Sequence, residues 1–187
     1  MACANISGAY DVYNGFLPDM GIHPYTSNEM NYPTLKGGVL HPRFPIKDAK
    51  EHIPEIKGIV GERPVIRIFD RNYASLESID YVEGEGTQYV IRLRQGEYKG
   101  EVGVPGGGES GEAAIKHTEK RLRGVKEEEP ERAEELKRKG ATRARVIRMA
   151  FKEGEGALIT NIKGYTEEQI RGLYRERREG VLNQTSE

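Results

Sequence analysis

Val65-Ile66-Arg67-Ile68-Phe69-Asp70-Arg71-Asn72-Tyr73, followed by Ser75 to Val82 and then Gln88-Tyr89-Val90-Ile91-Arg92-Leu93-Arg94, is the stretch that decides the fold. Val65–Phe69 is a short apolar run rich in β-branched residues, the pattern of a buried strand in an α/β layer. Ser75 stands where an N-cap is needed, Leu76, Ile79 and Val82 recur at three-residue spacing, and Gly84 serves as terminator, so a short helix is predicted. A second strand over 88–94 completes a strand-helix-strand unit, whose crossover should be right-handed. Asp70 leaves the first strand at the carboxyl end of the sheet, where α/β proteins place their sites, and is the first functional candidate. The bland alternative is a turn former or cap.

Working outward, Ala144–Phe151 alternates as a strand, Gly154-Glu155-Gly156 turns the chain, and Ala157–Ile162 returns as the partner of a hairpin. Thr166 and Gln169 form a capping box that opens a helix with Ile170, Leu173 and Tyr174 on one face. Upstream, strand residues flank Asn14-Gly15, the pair that a type I′ turn requires, so a hairpin is predicted over 4–22, with Pro18 marking an edge or a bulge. Residues 25–45 show no periodicity and are expected to be loop or degraded helix, and 46–57 a short helix disturbed by Pro54.

Between the two halves, Gln95–Gly111 is glycine-dense and reads as a flexible excursion. Its Gly106-Gly107-Gly108-Glu109-Ser110-Gly111 lacks the Gly-Lys-Ser/Thr ending of a phosphate loop. The tract 116–152 holds thirteen Lys/Arg against seven Glu, hidden within a net charge of -1 over the 187 residues. A solvated helix with mixed charges over 116–140 is one reading, and a phosphate-contacting surface is the other. One cysteine and four histidines exclude an internal disulfide and a Cys-rich zinc site, so any metal must be held by carboxylates. The absence of a long apolar run or signal-like leader predicts a cytoplasmic protein with no membrane partner.

Taken together, Tyr10-Asp11-Val12-Tyr13-Asn14-Gly15 with Asp19, Tyr25-Thr26-Ser27-Asn28-Glu29, Phe69-Asp70-Arg71-Asn72-Tyr73, the 88–94 strand, Glu155 with Leu158-Ile159-Thr160-Asn161, and Tyr174-Arg175-Glu176-Arg177 resemble, in order and spacing, the DDE transposases of the insertion-sequence-4 family. Phe69–Tyr73 is similar to the family's Asp-Arg-Gly-Tyr motif, with Asn72 in place of Gly, the substitute that best tolerates positive φ. The resemblance implies an α/β fold: an RNase H-like mixed sheet with flanking helices, interrupted by a basic, Gly-rich insertion and lacking its first strand. Its divisions are 1–94 for the first part of the core, 95–145 for the insertion and 146–187 for the second part, ending inside the catalytic helix.

In that family three carboxylates hold two divalent cations, Mg²⁺ or Mn²⁺, for phosphodiester cleavage and strand transfer. The resemblance assigns Asp70 as catalytic residue and metal ligand, and Arg71, Tyr174 and Arg177 as DNA-binding. The family's first Asp has no counterpart, and the Glu position of the Tyr-x-x-Arg-x-x-x-Glu signature falls on Val181. Glu179, two residues early, is turned about 200° from that face. Tyr174 and Arg177 share a helical face and either flank the DNA site or are a core Tyr beside a surface Arg. The expected protein is thus a truncated, inactive transposase-like DNA-binding chain, with transposon-end DNA as partner. The alternative is a non-catalytic regulatory fragment that associates with a full-length transposase or with itself.

Overall fold

The computed structural model describes residues 4–11, 16–24, 50, 53–54, 56–58, 61, 65–94, 96–102, 110–151 and 154–184, with backbone only for 4–24 and 177–184. The chain divides into two compact units, Met1–Val65 with Glu176–Glu187, and Ile66–Arg175. In the first unit, β1 (Ala4–Asp11) and β2 (Phe16–Pro24) form an antiparallel hairpin. Ala9 pairs with Asp19 but Asp11 with Phe16, so Leu17 and Pro18 together face Tyr10. This bulge is where a residue without an N–H is tolerated, as Pro18 predicts. The Asn14-Gly15 turn and the 25–45 segment lie outside the described residues. Lys50, Ile53, Pro54 and Ile56–Gly58 are helical, so Pro54 is accommodated there.

The second unit is α/β, a five-stranded mixed sheet in the order β3-β4-β7-β6-β5 with flanking helices. Its elements are β3 (Ile66–Phe69), a 3-10 turn (Arg71–Tyr73), α1 (Leu76–Gly84), β4 (Gln88–Arg92), α2 (Lys99–Val102), β5 (Ser110–Lys116), α3 (Glu119–Glu128), α4 (Pro130–Lys139), β6 (Ala141–Phe151), β7 (Gly154–Thr160) and α5 (Glu167–Gln184). The β3 and β4 strands pair in parallel, as a strand-helix-strand unit must, and all other pairs are antiparallel. The Ser75 side chain caps Ser78 N at 3.1 Å as its sequence predicts. The α1 helix runs through Gly84 and turns at Gly86, whose φ of 68° needs glycine. Contrary to the buried strand expected of 65–69, β3 stands at one edge of the five described strands, and three of its four residues are half-buried.

Strand alternation divides the core. On one face Val90, Ile147, Met149 and Leu158 meet Ile162 and the Ile170, Leu173 and Tyr174 side of α5. On the other, Ile91, Ile159 and Val146 are register neighbours and are buried. The predicted capping box opens α5: Thr166 N donates to Gln169 Oε1 (2.8 Å) and Gln169 N to Thr166 Oγ1 (3.2 Å). At the end of β7, the Asn161 side chain accepts from Tyr89 N (3.0 Å) and donates to Thr87 O (2.9 Å). An amide side chain thereby continues the β4–β7 ladder after the strand itself has ended.

The stretch 95–145 does not stand apart from the sheet. It supplies β5, which pairs with β6 from Ser110–Ile147 to Lys116–Ala141. Only Ala113 and Ile115 of β5 are buried, an alternation of two residues among Ser, Gly and Glu that carries little hydrophobic signal. The charged tract is two helices, divided at Glu129-Pro130 because proline begins a helix more readily than it continues one. Leu122, Val125, Ala133 and Leu136 are buried.

This helix pair is tied down by ions. Asp80 of α1 is 5% exposed and accepts from Arg132 Nη2 (2.5 Å), Lys139 Nζ (2.5 Å) and Thr142 Oγ1 (3.3 Å). Buried His117 contacts Thr142 Oγ1 through Nε2 (2.9 Å) and Leu136 O through Nδ1 (2.5 Å); a carbonyl only accepts, so Nδ1 is the donor there. No helix among the described residues is long and apolar enough to cross a membrane.

Removing the charge of Asp80 strands two cations beside a buried amide. Asp80→Asn is therefore expected to destabilise the protein by about 3 kcal/mol in urea unfolding. Lys137→Gln, which opens only the exposed pair with Glu119, should leave the midpoint unchanged.

Candidate functional site at the carboxyl ends of the parallel strands

Asp70 leaves β3 in extended conformation, and its Oδ1 accepts from Asn72 N at 2.6 Å, capping the 3-10 turn. One oxygen of the carboxylate is thus committed to the turn, as the cap reading of the sequence allows. Phe69 and Tyr73 stack across this turn with ring centroids 5.1 Å apart. Arg71, inside it, is exposed. The Asn72 side-chain Oδ1 accepts from Arg94 Nη2 (3.1 Å), and Arg94 N donates to Glu97 Oε2 (2.9 Å). The exit of β3 is thereby joined to the exit of β4, its parallel neighbour.

A second tie lies behind the first. The Tyr98 hydroxyl donates to Ala74 O at 2.8 Å, and Tyr98 holds a φ of 49°, a left-handed conformation uncommon for an aromatic residue. Arg121 lies 4.8 Å above the Tyr98 ring and grips Glu101 with both terminal nitrogens, at 2.6 and 3.0 Å. That ion pair holds the Glu101 carboxyl below its usual range, with the Arg121 hydrogen bond as the main cause. Glu97 behaves in the opposite sense: burial raises its pKa, and the Arg94 N–H and charge only partly oppose this. A carboxyl raised by burial beside a loop carrying Asp70 has the electrostatic signature of functional sites.

Two-metal chemistry needs a larger set of donors than this. Asp70 has one oxygen in a cap, Glu97 receives the Arg94 N–H, and among the described residues no group of three or more His, Cys, Asp or Glu side chains could hold a metal ion. The donor set around Asp70 therefore does not fit a Mg²⁺ or Mn²⁺ pair.

The remaining candidates lie elsewhere. Tyr174 is 1% exposed, packed edge-on to Phe151 (6.0 Å) in the core cluster, so its ring serves packing. Arg177 lies on α5, and its side chain is outside the described residues, as are those of Glu179 and Val181. The basic tract is partly neutralised at home: Arg121 pairs with Glu101, Arg132 and Lys139 with Asp80, Lys137 with Glu119, and Arg145 with Glu167. Lys116, Lys120, Arg138 and Arg143 are exposed and make no ion pair among the described residues. Strand directions place Lys116 and Arg143 away from Asp70. β6 runs in the same sense as β3, and the Lys116–Ala141 pair marks its amino end, whereas Asp70 follows the carboxyl end of β3.

Sequence reasoning missed Arg94, Glu97 and Tyr98 as parts of this site because they stand at the start of a glycine-rich stretch that carries no periodicity. Gly96, with a φ of 87°, is the one local mark of the turn that brings Glu97 back to Arg94.

The sign of the Glu97 shift gives a test. A carboxyl whose folded pKa is raised favours folding below its unfolded pKa, and that contribution is lost as pH rises through the folded value. Glu97→Gln is expected to raise the unfolding midpoint at pH 7 and to change it little at about pH 3, where both side chains are neutral. Paired thermal melts at the two pH values provide the measurement.

No protein-family model, curated protein or solved structure matches the chain.

Proposed function

We propose that this chain is a transposase-like DNA-binding protein built on an RNase H-like core, and that it does not cleave DNA by itself. The observation that carries the reading is Asp70. It follows the carboxyl end of a parallel strand pair, within an Asp-Arg-Asn-Tyr turn, at the position that the transposase resemblance gives to the second catalytic carboxylate. The order of elements is compatible with it: within 95–145, the place that the resemblance gives to the family's insertion, the chain carries β5 and the α3–α4 helix pair between β4 and β6. One matched carboxylate cannot organise two cations, and a positioned nucleophile and a stabilised leaving oxygen both depend on that pair.

A second reading, a non-catalytic regulatory protein that binds DNA and associates with a full-length transposase or with itself, is favoured by the unpaired cations. Lys116 and Arg143 lie away from the Asp70 end of the sheet, so phosphate binding there needs no catalytic geometry.

Two experiments test these readings. Incubated with supercoiled DNA and Mg²⁺ or Mn²⁺, the folded chain is expected to leave the DNA intact; nicking abolished by Asp70→Ala would mean that other carboxylates complete the site. Duplex binding, followed by fluorescence anisotropy, should weaken steeply with added salt. The slope of log K against log salt is expected to fall by about 2 in the double variant Arg138→Gln, Arg143→Gln. A salt-independent signal, or none at low salt, would remove DNA as the partner.

A further inference from the structure

Among the described residues, Arg67 has the largest number of buried side-chain polar atoms without a hydrogen-bond partner. It is 7% exposed, and Nε, Nη1 and Nη2 are all buried without a hydrogen-bond partner. Its register partner is Tyr89, so both side chains lie on the face of the sheet that α1 covers. Tyr89 there donates its hydroxyl to Glu83 at 2.9 Å. Arg67 feels the charges of Glu85 and Tyr81 near the end of α1, which only partly offset the lowering of its pKa by burial, and it hydrogen-bonds to neither.

A guanidinium stays charged in a protein, and an unpaired buried charge is among the most destabilising features a fold can carry. The rest of β3 is Ile66, Ile68 and Phe69, and an apolar residue at 67 would suit the strand better. The same unit surrounds another deeply buried ion, Asp80, with three donors. Retention of an open fork at 67 therefore points to a group that arrives from outside the fold.

We propose that Arg67 is an oxyanion-binding residue, which receives the carboxylate or phosphate group of a ligand entering along the outer edge of β3. The planar fork presents parallel N–H groups that match two oxygens of either group, and it repels cations. Among the described strands β3 stands at one edge of the sheet, so a ligand arriving there crosses the width of one strand. This inference does not rest on the DNA-binding reading.

The experiment is thermal unfolding of the full chain, as wild type, Arg67→Met and Arg67→Lys, in chloride, acetate and inorganic phosphate buffers of equal ionic strength. In chloride, Arg67→Met is expected to melt about 4 °C or more above wild type, because it removes an unpaired buried charge. Acetate, phosphate or both should raise the wild-type midpoint in a concentration-dependent way and leave Arg67→Met unmoved. Arg67→Lys, which keeps the charge without the fork, should show less than half of the wild-type shift. A shift with acetate alone assigns a carboxylate ligand, and one with phosphate alone a phosphate ligand. The proposal is overturned if Arg67→Met melts no higher than wild type in chloride, or if neither anion moves wild type more than it moves Arg67→Met.

Discussion

Burying the Asp80 carboxylate is the constraint around which the second unit is arranged. A carboxylate at 5% exposure needs donors on every side. They come from two elements distant in sequence: Arg132 and Lys139 on α4 and Thr142 on β6. Each contact fixes a different relation, so α1 cannot settle on the sheet without α4, and α4 cannot dock without β6 in register. His117, held between Leu136 O and the Thr142 hydroxyl, fixes the direction of that register from β5. The cations most prominent in the sequence as a candidate phosphate surface are in part the counterions of one buried acid.

That arrangement explains what the sequence displays and what it conceals. The strand-helix-strand unit is legible because it rests on local chemistry: a Ser75 cap, an apolar spacing and two β-branched runs. The β6–β7 hairpin and the Thr166 capping box are legible for the same reason. The β5 strand is not, since its buried side is Ala113 and Ile115 alone and its pairing is made by a partner thirty residues away. Lys116–Gly140 advertises helix and charge, but its division at Pro130 and its docking on Asp80 are tertiary facts. At the candidate site, Asp70 and its turn are visible in a short motif. Arg94, Glu97 and Tyr98 are not, because they reach Asn72 and Ala74 through a turn that has no periodic signature. Tyr174, legible as either core or DNA contact, is buried against Phe151.

Function, on the proposed reading, is divided between two ends of one sheet. The carboxyl ends of β3 and β4 carry Asp70 and the half-buried Glu97 in loops stitched together by Arg94 and Tyr98. The far end of β5 and β6 carries exposed cations on a surface that involves no acid–base chemistry. On that reading, electrostatic attraction at one end does not depend on metal binding at the other, since phosphate contacts need charge and exposure and tolerate loose geometry.

The α3–α4 helix pair joins β5 to β6 at two residues that are already neighbours: Lys116 pairs with Ala141, and His117 N donates to Gly140 O at 2.8 Å. Its two ends therefore meet like the posts of a gate, and on backbone geometry alone a short turn could replace everything between them. Charge forbids that exchange. Excising the helices would take away both cations that neutralise Asp80, so a lineage shedding this module must first, or at the same step, exchange Asp80 for an uncharged residue. The helix pair is thus modular in its connectivity and irreversible in its chemistry, a ratchet set by one carboxylate.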